Sequence, residues 1–564
     1  MHTRVLCNAD VRVLDEKGER VRAIAFEGGR VRALGDEAEA LATTCDDVWD
    51  LDGRTLLPGF IDPHQHPCVV ALYGGLVRLG PPDVSDIASL QRVLEARARE
   101  LAPGEWLLAM EWDELLLAER RPPTRAELDA AVPDHPLFAL HYSCHRALAN
   151  ARALELAGID RHTPDPTGGV IARGAGGVPS GLLIERGMSR VESLARANLV
   201  ARDPDGFLER LARHHRELVA AGITRVVDAT VPADLVTLYR EAEQRGLLTV
   251  PTVMMPVSSR GYLEPPWEAL EGPVTGEMNG HLGVGPVKLI FDGAPACAMC
   301  LGWLDAGRFV LNALVKSLGQ RSADALRYLA PDAPKLGKKI RTGIRIHDPN
   351  EARDLVRTAA ERGFSVAIHA IGNDAVELAL ACYRDVGADL SRAGVPRLEH
   401  AIFVDQVLAR RIADQGVAVV AQPGFLRLPA FTSAPSVPGL RNTALRWLLD
   451  AGVLVAGSSD YPVAGFDPLL AMHTAVTRLT ARGRAHEPDQ AISLDEALLF
   501  YTRSAARAAS SEQECGSLEL GKRADAVILD GNLSTADDLT RLRVAATFIG
   551  GKLVHGDSQA ASGQ

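Results

Sequence analysis

Residues 56–67 read Leu56-Leu-Pro-Gly-Phe-Ile-Asp-Pro-His-Gln-His-Pro67. An apolar run that ends in two histidines one residue apart reads as a β-strand with chemistry at its carboxyl end. Side chains two apart along a strand point to the same side, so His64 and His66 present two imidazoles to one point, as a metal ion requires. Taken alone, the pair also suits two histidines hydrogen-bonded at a strand end, so its meaning depends on the rest of the chain.

Outward from this stretch, short β-branched runs recur at 223–230, 249–257, 286–293, 365–372, 397–404, 417–424 and 454–462. With 56–66 they make eight predicted strands, and Ala/Leu/Arg/Glu-rich segments of helical period alternate with them. The pattern predicts an α/β protein: a closed (β/α)8 TIM-type barrel, with a doubly wound open sheet as the alternative. The gaps 67–222 and 293–364 are too long for simple βα connections. They predict insertions at about 75–200, after the first barrel strand, and at about 294–345. Both leave from carboxyl strand ends, where a barrel builds its site. Both chain ends carry β-type runs with turn signals, which predicts one small β-sandwich-like domain built from 1–56 and 508–564 around a barrel spanning 57–507.

The composition narrows the function. The 564 residues include 61 Lys plus Arg and 72 Asp plus Glu, a net charge of −11, which argues against a nucleic-acid or anionic-membrane binder. Hydrophobic residues at 47% and charged residues at 24% are those of a globular protein with a large core. No apolar run reaches the ~18 residues of a membrane span, and the first ten residues hold too short an apolar stretch for a signal peptide. A cytoplasmic protein acting on a small molecule is expected. The eight cysteines are scattered and read as reduced thiols; only Cys297-Ala-Met-Cys300 has redox or metal spacing, a weak signal without a second pair. No GxSxG elbow and no GxxxxGK[ST] loop is found.

Candidate ligands recur at other predicted strand ends. Lys288 lies in Gly285-Pro-Val-Lys-Leu-Ile-Phe-Asp-Gly293, His369 in Val366-Ala-Ile-His-Ala370, His400 in Leu398-Glu-His-Ala401 and Asp460 in Gly457-Ser-Ser-Asp-Tyr-Pro462. Inward residues at the tops of barrel strands face one cleft, so these positions are expected to converge. The blander readings are a surface salt bridge for Lys288, one of only eight lysines, and a helix cap for Asp460.

The order HxH, Lys, His, His, Asp resembles the metal-dependent amidohydrolase superfamily, and within it the amidohydrolase-3 subgroup. The shared phrases are P-G-F-I-D-x-H-x-H at 58–66, K-x-x-x-D-G at 288–293, H-A-I-G-N-D-A at 369–375, R-L-E-H-A at 397–401 and G-S-S-D-Y-P-V at 457–463. Gly168-Gly-Val-Ile171 and Gly177-Val-Pro-Ser-Gly-Leu-Leu183 resemble the subgroup's insertion, so the likeness covers essentially the whole chain.

The resemblance implies that His64 and His66 bind one divalent metal, that His369 and His400 bind a second, and that Lys288 bridges them as a CO2-derived carbamate. Asp460 is then both a ligand and the catalytic proton carrier. Imidazole and oxygen donors suit zinc, one ion or two. The activity implied is hydrolysis of a non-peptide C–N bond in an amide, an N-acyl or N-formyl amine, or a cyclic amide. N-substituted formamide deformylation is one activity of the subgroup. An esterase, lactonase or C–C hydrolase on the same metals is one alternative, and an amidohydrolase-like regulator without catalysis is another. Enzymes of this kind are often homo-oligomers, so a homo-oligomer is expected.

Other residues receive smaller roles. His145 aligns with a subgroup histidine and is expected to bind substrate, although Ser143-Cys144 stand where the subgroup has Asp-Gly. Asp62 is expected to orient or brace, and Gln422 to shape the pocket wall. His214 and His215, mid-helix among Arg and Glu, are expected on a solvated face.

Overall fold

The computed structural model describes residues 2–74, 76–102, 104–294, 297–320, 335–336, 339–387, 394–432, 437 and 439–557. The opening stretch is two strands in two different sheets, not one. Strand β1 (Thr55–Pro58) pairs with Asp10–Arg12 and, antiparallel, with Ala526–Leu529. Strand β2 (Phe60–Gln65) runs parallel to β3 (Ile223–Pro232). Gly59 is the hinge. Its amide donates to Asp525 O at 2.8 Å, and a Cβ there would lie 2.3 Å from the buried Thr224 side chain. Only a residue without a side chain lets the chain change sheets so close to its neighbour.

The parallel strands form two arcs. The first joins β2, β3, β4 (Thr252–Val257) and β5 (Leu282–Val284), edged by Met278–Asn279. The second joins β6 (Val287–Ile290), β7 (Val366–Ala370), β8 (Arg397–His400), β9 (Ala418–Ala421) and β10 (Val455–Gly457). The run expected at 286–293 is therefore preceded by a short strand, and Gly285-Pro286 separates the two, because Pro286 has no N–H for a ladder. The run expected at 454–462 stops at Gly457, and Asp460 stands in a loop with φ 56°.

Gly285-Pro286 carries the chain from β5, where Gly285 N–H donates to Met254 O at 2.7 Å within the first arc, directly into β6; on the other side, Asp460 N–H to His64 O and His66 N–H to Tyr461 O, each 2.9 Å, join the loop after β10 to the end of β2. Every residue of β2, β3, β4, β6, β7, β8, β9 and β10 is buried, the continuous apolar reading of a parallel sheet covered on both faces.

Amphipathic helices supply the cover. In α2 (Pro349–Glu361) Asp348 caps the N-terminus by accepting from Asn350 N and Glu351 N, and Pro349 occupies the first turn, where its missing N–H costs nothing. Ala352, Leu355, Val356, Ala359 and Ala360 form the buried stripe. The preceding α1 (Pro204–Ala220) corrects one expectation. His214 and His215 share the face of Leu208, Leu211, Leu218 and Val219 and are buried, not solvated.

The chain ends contribute a six-stranded sheet, which contains β1, and a four-stranded sheet of Arg30–Leu34, Ile24–Glu27, Thr3–Cys7 and Val48–Asp50. Leu6, Phe26, Trp49, Leu56, Ile528 and Phe548 pack between them. The first insertion folds into a six-stranded mixed sheet from Val77–Arg78 to Pro179–Glu185. The second contains a small antiparallel sheet of Met299–Leu301, Lys335–Leu336 and Ile340–Thr342, and its residues 321–334 lie outside the described residues. Among the described residues all eight cysteines are free, and no helix is long and apolar enough to cross a membrane.

Candidate metal centre

His64 and His66 at the end of β2, Lys288, His369 and His400 on β6, β7 and β8, and Asp460 in the loop after β10 line one cleft, and His145 lines it with them. The cleft encloses about 1300 Å³ counting its open mouth. Ligand atoms of His64, His400 and Asp460 lie within 4.8 Å of one another. Asp460 Oδ1 is 3.1 Å from His64 Nε2 and 2.8 Å from His66 Nε2, and Lys288 Nζ is 3.4 Å from His64 Nε2. The His369 ring stands 4.5 Å from that of His400. This donor group takes one histidine from each of the two pairs that the resemblance implied.

The period of two that aims the candidate ligands also aims the residues behind them. Arg397, Glu399 and His400 share one strand. Glu399 accepts from His64 Nδ1 and is clamped by Arg397, whose Nε lies 2.5 Å from Glu399 Oε1. Arg397 donates further to Pro63 O and Ala508 O. Both side chains are fully buried. His66 Nδ1 is 2.8 Å from Thr230 Oγ1. With Nδ1 engaged, each ring is left with Nε2 for the cleft, the arrangement by which an outer carboxylate or hydroxyl orients a ligating histidine. Asp62 braces the first and last strands, accepting from Ser459 Oγ at 2.5 Å and from Gln65 Nε2 at 3.0 Å. Asp292 accepts from the backbone amides of Ala298, Ile371 and Gly372, each at 2.9 Å, tying the loop after β6 to the end of β7.

The electrostatics suit a cation. Burial pushes the His400 imidazole down to about 3 and holds His369 well below its usual value, so both are neutral, the form that ligates. Burial also lowers the Lys288 ammonium to about 8, which brings an appreciable neutral fraction within reach at physiological pH. Burial raises the Asp460 carboxyl, but His64 and His66 outweigh it and keep the group well below the usual carboxylate range. His369 Nε2 is buried with no hydrogen-bond partner among the described residues. A buried nitrogen in that state has lost its hydration without replacement, a cost that a bound ion would remove. The residues present fit a divalent metal.

The remaining histidines separate. His145 Nδ1 contacts Glu185 Oε2 at 2.8 Å, and its ring lies 5.3 Å from that of His369. Burial lowers the His145 pKa, but the Glu185 carboxylate outweighs this and raises it. His141 turns to Glu114 and Asp113, at 3.5 and 3.9 Å, and Glu114 is paired with Arg146. His214 Nε2 contacts Gln65 Oε1 at 2.7 Å, and His215 Nδ1 accepts from Val250 N–H at 3.1 Å. Gln422 lies behind His400 and not on the wall where it was expected, with its Oε1 2.7 Å from His400 Nδ1. Sequence reasoning missed Arg397, Glu399, Thr230 and Glu185 as supports. Arg397 and Glu399 lay inside a quoted phrase, and their alternation with the ligand was the available signal.

An α/β scaffold whose strand ends and one following loop converge on imidazoles, a carboxylate and a lysine in one cleft defines a metal-dependent hydrolase. The profile of the Amidohydrolase family matches residues 47–555. The N-substituted formamide deformylase of Arthrobacter pascens is 31% identical to this chain and covers 98% of each chain. The putative amidohydrolase YtcJ of Bacillus subtilis (strain 168) is 28% identical over 96% of this chain and 97% of its own. An uncharacterized metal-dependent hydrolase from Pyrococcus horikoshii OT3 superposes with a TM-score of 0.68 at 21% identity, covering 93% of this chain and 97% of its own. The chain belongs to the amidohydrolase family. Membership makes it a hydrolase of carbon–nitrogen bonds other than peptide bonds.

Proposed function

We propose that the protein hydrolyses the C–N bond of an N-acyl or N-formyl amine, or of a cyclic amide, at a divalent-metal site held by His64, His66, Lys288, His369, His400 and Asp460. One observation carries the reading: three donors from distant parts of the chain, the strand-borne His64 and His400 and the loop residue Asp460, have ligand atoms within 4.8 Å of one another in a buried cleft. The formamide reading is supported by the relative named N-substituted formamide deformylase. Zinc, as one ion or two, suits the imidazole and oxygen donors.

When bound, the ion would polarise the acyl carbonyl and lower the pKa of its water to about 7. Asp460 takes a proton from the attacking water as its oxygen bonds to the carbonyl carbon. It returns that proton to the nitrogen as the C–N bond breaks, giving an amine and a carboxylic acid. Lys288, once its ammonium has lost a proton, adds CO2 and releases a second proton to become a carbamate, which would replace a cation with an anionic oxygen donor. His145 contacts the substrate. Phe403, Phe425 and Phe431 make one wall apolar, with the rings of Phe425 and Phe431 stacked 4.2 Å apart, and suit an apolar substituent on the nitrogen.

The scaffold belongs to the same proposal. We take the two arcs as halves of a closed (β/α)8 barrel over 57–507, with 75–200 inserted, and the sheets from 1–56 and 508–564 as one β-domain bracing it. The enzyme is placed in the cytoplasm, as a homo-oligomer.

Elemental analysis of the wild type, His64→Ala and Lys288→Ala, with a panel of N-formyl and N-acyl amines and matched esters, tests the reading. One to two metal ions per chain, reduced in both variants, with amide turnover, is the expected result. Ester turnover without amide turnover would move the protein to the esterase reading. A protein that neither zinc nor bicarbonate loads would overturn the mechanism and favour a regulator.

A further inference from the structure

We propose that Glu185, in the first insertion, is a positioning residue for this site: it holds His145 so that the ring hydrogen-bonds the oxygen of the scissile acyl group. The inference rests on the hydrolase reading above and adds to it a residue from outside the metal-bearing strands.

The insertion sheet brings the two together. Strand Arg146–Ala149 lies antiparallel to Pro179–Glu185 with Arg146 opposite Ile184, so His145 and Glu185 are neighbours at the sheet's end. Glu185 N–H donates to His145 O at 3.0 Å, and the side chains meet at 2.8 Å between His145 Nδ1 and Glu185 Oε2. Because Nδ1 is committed to the carboxylate, Nε2 is the nitrogen left for the cleft that His145 lines, beside the His369 ring.

Three features show that this carboxylate is placed rather than incidental. Glu185 is 1% exposed, so its charge has left water and needs the partner it has. Its φ is 49°, a conformation that residues with a Cβ rarely adopt. It also packs on the turn that follows Asp292: a Cβ added at Gly293 would lie 2.3 Å from Glu185 Oε1. Gly293 belongs to the same strand-end phrase as Lys288. Glu185 therefore ties the insertion to the loop beside the metal-facing residues, and the aim of His145 depends on that tie. A preorganised donor at the position where charge develops on an acyl oxygen speeds its hydrolysis without tightening substrate binding in proportion.

A double-mutant cycle on the metal-loaded full chain tests this, with Glu185→Gln, His145→Gln and both together. Glu185→Gln keeps the shape and an acceptor but removes the charge. The expected result is wild-type metal content and Tm, a kcat at least tenfold lower, a KM within about threefold, and less than twofold further loss when Glu185→Gln is added to His145→Gln. A wild-type kcat in Glu185→Gln, or losses that multiply in the double variant, would overturn the proposal, since a brace acting independently of His145 gives the latter. If Glu185→Gln does not fold, Gly293→Ala displaces the same carboxylate and is read in the same cycle with the same two outcomes. If the wild type hydrolyses neither amides nor esters, the hydrolase reading falls by itself. The cycle is then read on acetate binding by calorimetry. Affinity tenfold weaker in Glu185→Gln and no weaker in the double variant than in His145→Gln supports the role of Glu185, and equal affinity in wild type and Glu185→Gln overturns it.

Discussion

Gln422 and His400 are locked in one orientation. The Gln422 amide nitrogen donates to Val420 O at 3.1 Å and to Ser458 Oγ at 2.9 Å, so its Oε1 must be the atom 2.7 Å from His400 Nδ1, and it accepts. His400 Nδ1 therefore carries the proton, and Nε2 faces the cleft with its lone pair. Replacing Gln422 by Leu removes the acceptor and frees the ring to turn. Metal affinity should fall about 10- to 100-fold, measured by competition with a chelating dye, with little change in Tm of the metal-free protein.

Glu399→Gln should act on His64 in the same way and lower metal affinity by about 10- to 100-fold. Arg397→Met should do more. It leaves the Glu399 carboxylate fully buried without its guanidinium, and breaking a buried pair from one side costs about 3–5 kcal/mol. Urea denaturation of the two variants separates the effects: Arg397→Met is expected to shift the midpoint far more than Glu399→Gln.

The buried His215 sets an acid limit on stability. Burial lowers its pKa from 6.5 to about 3, and its Nδ1 accepts the Val250 N–H, so the folded protein holds it neutral. The unfolded chain binds a proton below pH 6.5 that the folded chain refuses until about pH 3. Its contribution is thus complete above pH 6.5 and is lost as pH falls through that window, by up to about 1.4 kcal/mol per pH unit. Stability measured against urea from pH 7 to pH 4 should fall less steeply in His215→Gln than in the wild type by that amount. Equal slopes would contradict the assignment.

Gly59→Ala should destabilise the protein by about 1–3 kcal/mol, because the added methyl meets the Thr224 side chain at 2.3 Å where two sheets exchange the chain. Adding Thr224→Ala removes the nearest atoms and should recover part of the loss. Thermal melting of the single and double variants checks both statements.

The sequence by itself determined the α/β alternation, the strand ends that carry His64, His66, Lys288, His369 and His400, and the family those phrases belong to, while Asp460 proved to stand in the loop beyond its expected strand. All of these are local: strand periodicity and short motifs are written within ten residues and need no knowledge of what lies opposite. Tertiary structure alone decided how each of three histidine rings is turned, through Glu399 on His64, Thr230 on His66 and Gln422 on His400. It also decided that His214 and His215 face the core, and that the first stretch breaks at Gly59 into two sheets. The physical reason is separation. Glu399 stands 335 residues from His64, and Thr230 stands 164 from His66. A polar residue among arginines reads as solvated until the helix is docked and its buried face is known. Hydrogen-bond partners this remote are chosen by packing, which no window of neighbouring residues records.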